Sequence, residues 1–154
     1  MTTDLFGTPP PTKLTLERPL AVFDLETTGV RIGTDRIIQI GIMRLLPDGS
    51  REKYQTLVNP EMPIPTEATE VHGITDADVA DSSTLKDLAP IIIEELAGCD
   101  LSGFNLLRFD VPFLAEELHR VGFEWDHASS RIVDVQRIYH KMEPRNLSAA
   151  LKFY

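Results

Sequence analysis

The sequence predicts an α/β domain, a mixed sheet of three antiparallel strands followed by parallel ones and flanked by helices. Three observations predict it. Leu20-Ala21-Val22-Phe23-Asp24-Leu25-Glu26 is an apolar run bounded by Pro19 and Gly29, the pattern of a strand buried at the centre of a sheet. Residues 36–46 and 52–58 are two further strand-like runs, and Pro47-Asp48-Gly49-Ser50 between them supplies the turn of a hairpin. From residue 84 onward helical and strand patterns alternate, which lays helices against the sheet.

The remaining elements follow along the chain. Residues 1–19 hold Pro9, Pro10, Pro11 and Pro19 and few large apolar side chains, so a flexible leader is expected, followed by one domain over 20–154. Asn59-Pro60, Pro63 and Pro65 make a rigid connection to a short helix over 66–71, ahead of His72-Gly73-Ile74-Thr75. Over 84–97, Leu85, Leu88, Ile92 and Leu96 recur at helical spacing, with Ser82, Ser83 and Thr84 as candidate caps and Gly98 as the stop. A fourth strand is expected over 100–105, then a helix over 111–121 with Pro112 in its first turn and Gly122 at its end. A fifth strand over 131–135 and a helix over 136–142, ended by Pro144, come next. Residues 146–151 open another helix, inside which the chain stops.

With 154 residues, 42% of them hydrophobic, the chain suffices for one core. No apolar run approaches the roughly 18 residues that cross a bilayer, and the N-terminus lacks a secretory pattern, so a cytoplasmic protein away from the membrane is expected. Cys99 has no second cysteine for a disulfide or a zinc pair and reads as a small buried hydrophobe near a strand start. The formal charge of -9 runs against binding a polyanion, because the sequence-independent part of such binding comes from Lys and Arg. Acids gathered around divalent cations would reverse that argument locally.

Asp24 and Glu26 stand two apart in an apolar strand, and the strand period of two puts both on one face. Two neighbouring carboxylates without compensation cost desolvation and repulsion, which divalent metal relieves most economically. The alternative is a strand that ends at Phe23, leaving both acids as solvated turn residues. Asp110 directly precedes Val111-Pro112 and either joins them or simply caps the helix that follows.

Phe23-Asp24-Leu25-Glu26-Thr27-Thr28-Gly29 resembles, over seven consecutive positions, the first motif of the DEDD exonucleases, the DnaQ-like proofreading group. His72-Gly73-Ile74-Thr75 resembles the segment that group places beside the terminal nucleotide. Gly103-Phe104-Asn105-Leu106-Leu107-Arg108-Phe109-Asp110 resembles its second motif. The resemblance runs from about Leu20 to the last residue and includes Asp134, where relatives often have Asp-Thr and this chain has Asp134-Val135. It implies a ribonuclease H-like fold.

It also implies a metal-dependent 3′-5′ exonuclease that hydrolyses nucleic acid, DNA foremost, to nucleoside 5′-monophosphates. Two ions, Mg2+ or Mn2+, would lie roughly 3.5–4 Å apart in such a site. By this analogy Asp24 bridges both, Glu26 binds the ion that holds the attacking water and Asp110 binds the other, hard oxygen donors suiting these metals. Thr27 and Thr28 would offer backbone or hydroxyl contacts to the terminal nucleotide, and His72 and Phe109 would pack on its sugar or base. His72 also has the plainer reading of a loop histidine that satisfies backbone groups. Asn105 suits fixing the loop that presents Asp110, and Phe104 stands where histidine is common. The implied substrate is a 3′ end, single-stranded foremost, with DNA polymerase subunits as implied partners.

The family's third motif, His-x-x-x-x-Asp or Tyr-x-x-x-Asp, is not found in the sequence. His72, His119, His127 and His140 are followed five positions later by Ala77, Glu124, Ile132 and Arg145. Tyr139-His140-Lys141-Met142-Glu143 imitates the tyrosine version with glutamate. The general base and fourth carboxylate are therefore expected after Tyr154, in a domain truncated at its C-terminus. Three other readings stay open: an RNA 3′-5′ exonuclease, a catalytically inactive nucleic-acid- or polymerase-binding module, and a plain α/β domain whose acids only cap and solvate.

Overall fold

The structure, a computed structural model, describes residues 15–137. Its strands are β1 (Leu20–Thr27), β2 (Ile37–Leu45), β3 (Arg51–Leu57), β4 (Asp100–Gly103) and β5 (Ile132–Asp134), in one sheet ordered β3-β2-β1-β4-β5. β1 to β3 form the antiparallel meander, while β4 runs parallel to β1 and β5 parallel to β4. The expected mixed sheet is the one the chain builds, with β1 at its centre.

Local chemistry accounts for the connections. In the hairpin, Asp48 Oδ1 accepts from the Ser50 N–H at 2.8 Å and from its hydroxyl at 2.6 Å, and Gly49 takes the left-handed φ of 87°. The α-helices named among the described residues are α1 (Thr66–His72), α2 (Asp76–Val79), α3 (Leu85–Leu96) and α4 (Val111–Arg120). Thr84 caps α3 by accepting from the Asp87 N–H, and Gly98 turns the chain out at φ 70°.

The core lies on one face of the sheet. Ala21, Phe23 and Leu25 alternate inward from β1 and meet Ile40 and Ile42 of β2 beneath Leu88, Ile92 and Leu96 of α3 and Phe113, Leu114 and Leu118 of α4. Each such large apolar side chain contributes roughly 1.5–3 kcal/mol on burial. Trp125 closes this layer edge-on against Phe23, centroids 6.2 Å apart. A smaller cluster, Ile38, Ile64, Ile74 and Val79, seats α1 and α2 on the sheet's margin.

Several expectations are corrected. The fourth strand ends at Gly103 rather than residue 105, because Asn105 adopts φ 58°, ψ 32°, a left-handed conformation no strand accommodates. Asp110 is not an N-cap: it is right-handed helical and makes no capping bond, because a π-helical turn, Leu106–Asp110, already leads into α4. α2 was not foreseen, although Thr75 and Asp78 form a capping box at its start. Other boundaries move by one or two residues. Arg18 and Pro19, assigned by sequence to the leader, already hold β4: Arg18 Nε donates to the Gly98 carbonyl at 3.0 Å, and the Pro19 carbonyl accepts from the Asp100 N–H at 2.9 Å. The rest of the leader, most of the helix expected over 136–142, the Tyr139 to Glu143 imitation and the helix expected over 146–151 lie outside the described residues.

Candidate active site

A strand ending at Phe23 is excluded, since β1 pairs with β2 as far as Thr27. Asp24 and Glu26 therefore share the face opposite Phe23 and Leu25, with Gly41 across from Asp24 and Gln39 across from Glu26. Gly41 puts no side chain beside Asp24. The pairing register slips between Glu26 and Thr27, a bulge of the kind that re-aims side chains at the end of a ladder.

Asp110 is 3% exposed, and its carboxyl is pushed up to about 8. Burial is the main cause, followed by the charges of Asp24, Asp134 and Glu26. Asp24 remains accessible, yet the atoms packed around it raise its pKa; Glu26, half-buried, is raised by burial and by Asp24. Four acids from β1, the π-turn and β5 thus share one field. Mutual repulsion among hard oxygen donors is the condition that divalent metal relieves, so the donor set fits Mg2+ or Mn2+. Among the described residues no three His, Cys, Asp or Glu side chains close on a single point as a finished cage.

Beside the acids lies a cleft of about 770 Å3. Glu26, Thr27, Thr28, His72 and Phe109 all line it, with Val30, Arg31, Met62 and Val71. Asp24, Asp110 and Asn105 do not line it. Val30 and Val71 are exposed at its rim, 79% and 84%. The Thr27 hydroxyl donates to the Gly29 carbonyl at 2.6 Å, and Thr28 Oγ1 donates to Asp35 Oδ1 at 3.1 Å while accepting from the Arg36 N–H at 2.9 Å. Both hydroxyls are thus engaged in shaping the turn.

His72 Nδ1 accepts from the Ile74 N–H at 3.1 Å, so it does satisfy a backbone group, and the neutral ring carries its proton on Nε2. Burial lowers its pKa, against an opposing pull from the Thr27 backbone. Nε2 is buried and meets no hydrogen-bonding partner. Phe109 packs on Phe113 at 5.2 Å. Asn105 offers its N–H to Asp134 rather than its side chain to the cleft.

Sequence reasoning passed over Arg31, Asp35, Glu117 and the bonds made by Asp134. Glu117, 1% exposed, accepts from Arg36 at 3.3 Å, from Arg120 at 3.0 and 3.1 Å, and from the Ile37 N–H at 3.4 Å. A charged residue on the apolar stripe between Leu114 and Leu118 was the available signal.

The fold and the acidic face of β1 define a ribonuclease H-like α/β domain of the kind seen in exonuclease I. The Escherichia coli exonuclease I structure, in complex with a dT13 oligonucleotide, superposes with a TM-score of 0.70 at 19% identity, over 84% of this chain and 31% of that one. The chain belongs to the RNase_T exonuclease family, whose model matches residues 21–154. It is 28% identical over 140 residues, 90% of its length, to the PolC-type DNA polymerase III of Caldanaerobacter subterraneus subsp. tengcongensis, and 38% identical over 110 residues, 69% of its length, to a DNA polymerase III subunit epsilon-like protein of Rhodobacter capsulatus. The chain spans 10% and 15% of those two relatives. Exonucleases of this kind are metal-dependent. No helix among the described residues is long and apolar enough to cross a membrane.

Proposed function

We propose that the chain is the core of a metal-dependent 3′-5′ exonuclease that takes the 3′ end of single-stranded DNA and releases nucleoside 5′-monophosphates, working beside DNA polymerase subunits. The observation that carries this reading is the double membership of Glu26, which belongs to the carboxylate field and also lines the cleft. A nucleotide seated in the cleft would bring its scissile phosphate to the acids. Family membership and the relatives' DNA polymerase III names support the substrate class.

Asp24, Glu26 and Asp110 would hold two divalent ions, Mg2+ or Mn2+. When bound, such ions neutralise charge at the phosphate and make the attacking water more acidic. The chain's own residues do the rest. Val30, Val71 and Phe109 give a base or sugar an apolar seat, which excludes water from the reacting end. His72, which lines the cleft, would pack on the sugar or base of the terminal nucleotide. Thr27 and Thr28 act through the backbone turn that their hydroxyls hold. Asn105 helps shape the loop that presents Asp110.

The formal charge of -9, which opposes binding to a polyanion, favours a second reading, a catalytically inactive nucleic-acid- or polymerase-binding module. One assay decides. The chain is incubated with 5′-labelled single-stranded DNA or RNA, with Mn2+ or with chelator, beside Asp24→Ala. Metal-dependent shortening from the 3′ end, with release of mononucleotides and loss in Asp24→Ala, supports the exonuclease. Metal-independent retention of the intact strand supports the binding module, and preference for the RNA strand moves the substrate class.

A further inference from the structure

We infer that Asp134, at the end of β5, is a positioning residue for Asp110; the inference rests on the carboxylate-site reading above. Asp134 is 5% exposed, and no Lys or Arg pairs with it among the described residues. Its carboxylate is satisfied by backbone instead. Oδ1 accepts from the Asn105 N–H at 3.0 Å and from the Gln136 N–H at 3.0 Å, while Oδ2 accepts from the Leu107 N–H at 3.1 Å. Asn105 and Leu107 bracket the start of the helical segment that runs through Asp110 into α4, where N–H groups have no partner of their own.

Asp134 therefore caps this helix from a strand 27 and 29 residues away in sequence. The cap fixes two things at once. It holds Asn105 in its left-handed conformation, and it sets the rotation of the π-turn at whose end Asp110 projects. Three N–H groups take most of the roughly four lone-pair sites of the Asp134 carboxylate, so its bonds serve the loop that carries Asp110. Partners that orient a metal ligand typically change metal affinity 10–100-fold when removed.

The test uses the 154-residue chain with amide hydrogen exchange and Mn2+ titration followed by electron paramagnetic resonance. In the wild type, the Asn105 and Leu107 amides should exchange far more slowly than those of an exposed loop; loop-like exchange would overturn the inference whether or not any variant folds. Asp134→Asn should speed exchange at both amides by at least about tenfold and weaken Mn2+ binding by about tenfold. Ser102→Ala, which removes only the bond to the Val133 carbonyl on the same strand pair, should change neither. Unaltered exchange with unaltered Mn2+ affinity in Asp134→Asn refutes the positioning role. Unaltered exchange with Mn2+ binding abolished, as in Asp24→Asn, makes Asp134 a ligand and also overturns it. If the wild type and Asp24→Asn bind Mn2+ equally, the carboxylate-site reading fails instead, while the exchange rates still report whether Asp134 holds the loop.

Discussion

Asp24 exerts the largest single charge effect on Asp110: of the three carboxylates that raise the buried acid, the one on the central strand acts most strongly. The two come from β1 and from the π-turn before α4, and the parallel pairing of β1 with β4 brings them together.

The first prediction concerns pH. An unfolded aspartate ionises near pH 4, whereas Asp110 in the fold keeps its proton to about 8. Between those limits the folded chain binds a proton that the unfolded chain has released, so metal-free stability falls as pH rises, by up to about 1.4 kcal/mol per unit. Asp110→Asn removes that contribution to the slope and raises the metal-free melting temperature at pH 7.5 by roughly 10–20 °C. Thermal melts of both proteins from pH 5 to 8.5 check this, and parallel slopes would refute it.

A second prediction follows from the same field. Asp24→Asn takes away the main charge on Asp110, so the Asp110 midpoint, followed by carboxyl carbon NMR, moves down from about 8. The same variant loses metal-dependent nuclease activity by at least about a hundredfold, more than loss of an orienting partner costs. A midpoint that stays in place would separate the two acids.

Among the described residues Arg31 is the only Lys or Arg that lines the cleft, in a chain of net charge -9. Arg31→Ala should weaken binding to single-stranded DNA about equally for all sequences and reduce the salt dependence of log K by about 0.7, the value of one phosphate on a single strand. Fluorescence anisotropy across a salt series measures it. An unchanged slope would remove Arg31 from the path of the strand.

Gly103 marks the tightest approach behind the acids. A Cβ there would stand 2.9 Å from the Phe23 carbonyl oxygen and 2.3 Å from Leu106 Cδ1, and the first contact is backbone that cannot swing aside. Gly103→Ala should destabilise by about 1–3 kcal/mol and push β1 next to Asp24, weakening Mn2+ binding too. Denaturant unfolding of the variant with a wild-type midpoint would contradict the close approach.

Most strands and both main helices were legible because burial repeats at periods of 2 and 3.6, as in Phe23 and Leu25 of β1 and Leu88, Ile92 and Leu96 of α3. Asp24, Glu26 and Asp110 stand out in the sequence because acids are rare in or beside such runs, and the fold brings their charges together. What escaped depends on contacts between distant segments. Nothing near Asp134 in sequence announces that its oxygens serve Asn105 and Leu107, and nothing near Asn105 announces a left-handed turn where the strand pattern continues. The resemblance gave Thr27 and Thr28 backbone or hydroxyl contacts to a nucleotide; that the turn after β1 engages both hydroxyls could be seen only in the fold.

Glu117 touches no acid of the site, yet it grips Arg36, whose backbone in turn exchanges hydrogen bonds with Thr28 at the end of β1. The helix that follows Asp110 and the turn that follows Glu26 are therefore braced by one buried strut. Arg36 thus ties α4 to the turn through charge-assisted hydrogen bonds, which fix direction as well as distance. A residue outside the acid cluster therefore joins the two segments that carry it.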